Sequence, residues 1–275
     1  MRAVLHRFAV LALLLAACSS SEDEAPVESP DEELAALDML NGKADGGASW
    51  QLVGTGVAYE QVNTGKAIVI AYGGYTARLT DSASWAVELV DTKLGAEDVG
   101  HIFAVRGPAD ASYSGKEIGN SKLRKLLATL DDSAPIYIVA HSSGSYVAHE
   151  LFDQLDNAGD TTTLQRIEYS DLDGGGTGLT TSIVAQLGTV QFVYAHDPVA
   201  GYSHNASFEQ DLAAEYAPKS TAFEVTVDSS GCNTGATWCL HDLLVTHRPH
   251  NPASYDLALD YTDFTDRPVT DDYLK

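Results

Sequence analysis

Apolar residues along this 275-residue chain follow two rhythms. Short unbroken apolar runs bounded by Gly, Asp, Ser or Pro read as strands buried on both faces, and apolar positions three and four apart read as helices with one covered side. The expected strands are Gln51–Tyr59, Ala67–Ala71, Val99–Val105, Ile136–Ala140, Leu164–Tyr169, Val190–Tyr194 and Ala222–Val227. Helical spacing fills the intervals at Ser82–Leu94, Asn120–Leu130, Ser143–Leu155, Thr180–Leu187 and Phe208–Tyr216, with a further short helix expected at Ala253–Leu259. Strands alternating with helices imply an α/β fold, a mainly parallel sheet with helices on both faces. In such sheets sites form at the carboxyl ends of the strands, so the loops after each run carry the functional interest.

The N-terminal stretch breaks both rhythms. Arg2 and Arg7 precede an almost continuous Ala, Val and Leu segment from Phe8 to Ala17, and Cys18 follows Leu15-Ala16-Ala17. A basic start, an apolar middle and small residues at the end make residues 1–17 a signal peptide. The segment is shorter than the roughly 20 apolar residues of a transmembrane helix. Leu15-Ala16-Ala17-Cys18 resembles the bacterial lipobox. That resemblance implies lipidation of Cys18 at the new N-terminus and a lipid-anchored place in the bacterial cell envelope, at the outer membrane or its periplasmic face.

From Ser19 to Ser49 nine carboxylates (Glu22, Asp23, Glu24, Glu28, Asp31, Glu32, Glu33, Asp38 and Asp45) face only Lys43. Such a composition cannot bury a core, so residues 18–49 read as a flexible acidic tether and residues 50–275 as the folded domain. Over the whole chain 39 Asp+Glu oppose 16 Lys+Arg, a formal net charge of −23 that excludes nucleic acid bound through phosphate neutralisation. The 44% hydrophobic content is enough for one sizeable core. With Cys18 lipidated, Cys232 and Cys239 remain as a pair, and in an oxidising compartment a disulfide between them is expected.

Chemistry concentrates at one strand-to-helix junction. The run Ile136–Ala140 leads through His141 into Ser142, with Ala140 two residues before it and Gly144 two after, and an amphipathic helix follows at once. A nucleophile elbow needs this context: Ser in a strained turn, and small neighbours that let the turn pass between strand and helix. The helix N-terminus adds amide donors and partial positive charge where an oxyanion would develop. The segment resembles the α/β-hydrolase superfamily, its esterases and lipases in particular, with Ala140 where Gly is usual. The structural alternative is Ser142 as a plain helix cap.

That resemblance implies an α/β-hydrolase-like fold and a Ser, Asp, His chain order. Beside the Ser143 amide, the second oxyanion donor is expected from Tyr72-Gly73-Gly74-Tyr75 after the Ala67–Ala71 strand, with Gly74 first and Tyr75 second. For the acid, Asp197 in His196-Asp197-Pro198-Val199 matches the superfamily's usual position, and Asp171 and Asp173 at the preceding strand end are the alternatives. The base is expected after the last strand, with His241 first and His247 next, while His250 before Asn251-Pro252 reads as a surface residue. Pocket walls are expected from Thr76–Ala86, Gly107–Gly115 and His196–Phe208.

These parts permit ester hydrolysis through an acyl-enzyme on a small ester or lipid substrate, with no cofactor and no metal. A metal-dependent reading would use His241, His247 and His250, whose spacing matches no strong ligand signature. A non-catalytic binding lipoprotein on the same scaffold is the other alternative. The sequence does not reveal oligomeric state.

Overall fold

A computed structural model describes residues 37, 50–62, 66–75, 77–90, 98–108, 119–130, 133–174, 176, 178–227, 240, 241 and 244. The signal peptide, Cys18, all of the tether but Leu37, Cys232, Cys239, His247, His250 and the helix expected at Ala253–Leu259 lie outside the described residues.

Nine strands among the described residues form one sheet. They are β1 (Gln51–Gly54), β2 (Val57–Gln61), β3 (Ala67–Tyr72), β4 (Val99–Val105), β5 (Ile136–His141), β6 (Ile167–Leu172), β7 (Thr189–Asp197), β8 (Tyr202–Ser203) and β9 (Ser220–Thr226). The lateral order is β1-β2-β4-β3-β5-β6-β7-β8, with β9 also on β7. Strands β4, β3, β5, β6, β7 and β9 pair in parallel, while β1, β2 and β8 join antiparallel at the two ends. The helices are α1 (Leu79–Leu89), α2 (Asn120–Leu127), α3 (Gly144–Asn157), α4 (Thr161–Gln165), α5 (Thr181–Gln186) and α6 (Ala206–Glu215). This is the expected α/β architecture, a mainly parallel sheet with helices on both faces.

Alternation along the strands divides the core in two. In β3 all six residues are buried. Val69 and Ala71 pack with Leu79, Ala83, Trp85 and Ala86 of α1. Ile68, Ile70 and Tyr72 pack on the other face with Val147, Leu151, Phe152 and Leu155 of α3. A pleat with period 2 between two helix layers demands continuous apolar runs, and each large side chain so covered stabilises by about 1.5–3 kcal/mol.

The structure corrects several element boundaries. The run Gln51–Tyr59 is two antiparallel strands, β1 and β2, because Gly56 at φ 63° turns the chain back after Gly54. Leu164 belongs to helix α4, whose start is capped by Asp160 accepting from the Thr163 N–H at 3.1 Å. Strand β6 therefore begins at Ile167 and ends at Leu172, so Asp171 lies within the strand. Strand β7 runs on to Asp197, three residues past the expected Tyr194, and β8 was not foreseen.

Candidate active site

Because β3, β5, β6 and β7 are parallel neighbours, their carboxyl ends open on one edge of the sheet and deliver Gly73, Ser142, Asp173 and Asp197 there. Ser142 stands between the end of β5 and the start of α3 at φ 54°, the left-handed region that costs a non-glycine residue about 1–3 kcal/mol. Its surroundings hold it there. The Ser142 N–H donates to the Leu172 carbonyl at 3.0 Å, and its carbonyl accepts from the Ser145 N–H at 3.1 Å and the Ser145 hydroxyl at 2.7 Å. A Cβ at Gly144 would lie 2.3 Å from the Gly73 carbonyl oxygen, so only glycine lets the elbow pass the β3 loop. The strained turn expected from Ala140-His141-Ser142-Ser143-Gly144 is present.

Gly74 packs directly on this turn, since a Cβ there would lie 3.2 Å from the Ser142 Cβ and 2.9 Å from His141 Nδ1. The loop is braced from behind by the Gly73 N–H donating to Val105 at 2.9 Å and the Ala77 N–H donating to Gly74 at 2.9 Å. Ser143, the N-cap of α3, adjoins Ser142 on its other side. The two expected donor positions therefore flank Ser142, whereas the Tyr75 side chain is exposed.

Asp173 follows β6 at φ 55°, with its N–H donating to the Val193 carbonyl at 2.8 Å. Its Oδ2 accepts from His241 Nδ1 at 2.6 Å and also from His204 Nδ1. Its Oδ1 accepts from Asn205 Nδ2 at 2.8 Å. Burial opposes ionisation of this carboxyl, but the charge of His241 and hydrogen bonds from both imidazoles outweigh it and hold its pKa below the ordinary carboxylate range.

Asp197, the expected acid, instead closes the turn after β7: its Oδ1 accepts from the Val199 N–H at 2.8 Å and the Ala200 N–H at 2.9 Å. An Asp at a turn bonding to amides two and three residues ahead is a common local use of that side chain. Asp171 is fully buried within β6, where desolvation and then the Asp173 charge push its pKa well up. Its Oδ2 lies 3.8 Å from His149 Nε2.

His141, which no sequence motif singled out, links the strained turn to His241. Its Nε2 donates to the His241 carbonyl at 3.0 Å, and the two rings lie 4.5 Å apart. Burial first, and the neighbouring His241 second, lower its pKa to about 3. It is therefore neutral near pH 7, with its hydrogen on Nε2 because a carbonyl can only accept. His204 and Asn205 were also missed. They follow the two-residue strand β8, and Asn205 at φ 49° donates to Asp173 rather than capping α6. Of the expected groups, the structure thus gathers Ser142, Ser143, Gly74, Asp173 and His241, and leaves Asp197 in its own turn.

No protein-family model matches the chain, and no curated protein matches it. Solved structures do. TT1662 from Thermus thermophilus is 14% identical at a TM-score of 0.43, with 78% of this chain and 96% of that one covered. An esterase/lipase from an uncultured bacterium is 13% identical at 0.43, covering 92% and 97%. The carboxylesterase CesB from Bacillus subtilis is 10% identical at 0.42, covering 84% and 94%.

Proposed function

We propose that the protein is a serine hydrolase that cleaves carboxylic esters through an acyl-enzyme, with Ser142 as nucleophile, His241 as base and Asp173 as the orienting acid. The observation that carries this reading is a Ser held at φ 54° between strand and helix, next to His141, which donates to the carbonyl of an imidazole residue, His241, fixed by a buried carboxylate at 2.6 Å. An ionised Asp173 accepts only, so His241 carries its hydrogen on Nδ1 and keeps a lone pair on Nε2.

In the proposed reaction His241 Nε2 takes the Ser142 hydroxyl proton as Oγ attacks the ester carbonyl carbon. The tetrahedral oxyanion is held by the backbone amides of Ser143 and Gly74. The imidazolium then gives its proton to the leaving alcohol, and water repeats the sequence to release the acid and restore Ser142. Neutral His141 places the His241 backbone without competing for the proton.

Small esters or lipids are the proposed substrates. The lipobox-like Leu15-Ala16-Ala17-Cys18 supports action at the bacterial envelope on a lipid anchor. The direct test is Ser142→Ala, measured with p-nitrophenyl esters of graded chain length and a fluorophosphonate probe. Loss of at least about 10³-fold in kcat and of all probe labelling, with unchanged circular dichroism, is expected. Hydrolysis that survives the substitution overturns Ser142 as the nucleophile, and an unmodified chain that neither hydrolyses the esters nor takes up the probe points instead to a non-catalytic binding protein.

A further inference from the structure

Ester hydrolysis of this kind needs one imidazole on its acid, and here there are two. His204 Nδ1 and His241 Nδ1 both address Asp173 Oδ2, and the three atoms lie within 4.8 Å of one another. The residues follow β6, β8 and β9 respectively, so the cluster is a product of the tertiary fold and not of a local turn. All three side chains are buried.

We propose that Asp173 Oδ2, His204 Nδ1 and His241 Nδ1 form a binding site for a divalent transition cation of the zinc type, and that its occupation switches the hydrolase off. Two imidazole nitrogens and one carboxylate oxygen are a donor set for Zn²⁺, with room in a tetrahedral shell for one further ligand. Mg²⁺ and Ca²⁺, which prefer shells of oxygen, gain little from it.

Outer contacts already aim these donors. Asn205 Nδ2 occupies Oδ1 of Asp173 and leaves Oδ2 for the imidazoles. The His204 backbone N–H donates to the Ala195 carbonyl at 3.1 Å, and the His241 carbonyl is held by His141 Nε2 at 3.0 Å. Such outer-shell support orients metal ligands and raises affinity.

The switch follows from where a neutral imidazole keeps its single hydrogen. Without the cation, His241 Nδ1–H donates to Asp173 and Nε2 offers the lone pair that Ser142 needs. A cation on Nδ1 takes the lone pair there, so the hydrogen moves to Nε2. His204 undergoes the same exchange, no proton is released from a neutral ring and nothing is oxidised. With hydrogen on Nε2, His241 cannot accept from Ser142. The inhibitory role rests on the hydrolase reading above, whereas the site itself rests only on the three side chains.

The test uses the full chain stripped of metal. Calorimetric titration with Zn²⁺ is expected to show one saturable site per chain, retained in Ser142→Ala. In His204→Gln affinity should fall at least about 10–100-fold, since a lost ligand costs no less than a lost outer contact. Esterase activity should fall with the same midpoint as binding and return on chelation, and millimolar Mg²⁺ should leave it unchanged.

Absence of one-to-one binding, or equal Zn²⁺ binding in His204→Gln, overturns the site. Zn²⁺ binding that leaves ester hydrolysis unaffected overturns the switch. A metal-free chain with no esterase activity that still binds Zn²⁺ through His204 overturns the hydrolase reading and the switch with it, and leaves the site standing. Should His204→Gln not fold, Co²⁺ with the unmodified chain decides: strong visible bands of a four- or five-coordinate ion with nitrogen ligands support the site, and the weak bands of aqueous Co²⁺ overturn it.

Discussion

Asp173 and Asp197 end neighbouring parallel strands on the same edge, and one hydrogen bond separates their roles. Asp173 meets His241 Nδ1 at 2.6 Å, while Asp197 meets the amides of its own turn. Asp173→Asn keeps the size but removes the charge that fixes the Nδ1–H tautomer, so kcat on a p-nitrophenyl ester is expected to drop about 10³–10⁴-fold. Asp197→Ala should leave kcat within about twofold and lower unfolding free energy by about 1 kcal/mol, the worth of a lost turn acceptor. A dead Asp197→Ala beside an active Asp173→Asn would exchange the two roles. The sequence could not separate them, because both precede turn residues and the choice depends on where the chain returns after β9. Ser142, by contrast, was legible: strand, small residue, Ser, Gly and helix are all local. His204 carried no such signal, since its partner is 31 positions away in sequence.

Strands with unbroken apolar character, β3, β4 and β5, were legible to within a residue because both of their faces are buried. The N-terminal hairpin was not, since Gly54-Thr55-Gly56 interrupts a run whose apolar rhythm barely changes. Nor was the start of β6, where Leu164 is as buried as a strand residue but sits in the capped helix α4. Strand β2 also carries a testable electrostatic cost. Glu60, opposite Ile102 of β4, is largely buried, and desolvation raises its pKa from 4.5 to about 7. Between these values the folded chain keeps a proton that the unfolded chain has released, so this group's contribution to stability falls as pH rises from about 4.5 to 7. Above that window the full penalty is present; below it there is none. Glu60→Gln is therefore expected to raise stability at pH 8 by about 1–2 kcal/mol, discounted for the water that still reaches the carboxyl, and to leave it unchanged at pH 4. Denaturant titrations of both proteins at the two pH values check this, and an equal effect at both would refute the assignment.

At the scale of the whole molecule, the site draws on residues from Gly74 to His241, all held by one sheet and its two helix layers. Nothing N-terminal to Trp50 supplies any of the proposed catalytic groups. The proposed catalysis and the proposed attachment to the envelope thus rest on separate parts of the chain. Within the 19–49 segment, which carries nine carboxylates and one lysine, Leu37 is helical and fully buried in the same core cluster as Trp50, so the segment meets the domain at that residue. Cys18→Ser is accordingly expected to move the protein from the membrane fraction to the soluble fraction and to abolish incorporation of labelled palmitate. Because the site is built downstream, kcat/KM on a soluble ester should stay within about twofold of the unmodified protein. Cys18→Ser protein that remains with the membranes and still incorporates palmitate would show that the lipid, if any, is carried elsewhere. A normal membrane distribution combined with lost activity would instead mean that residues before Trp50 help to build the site.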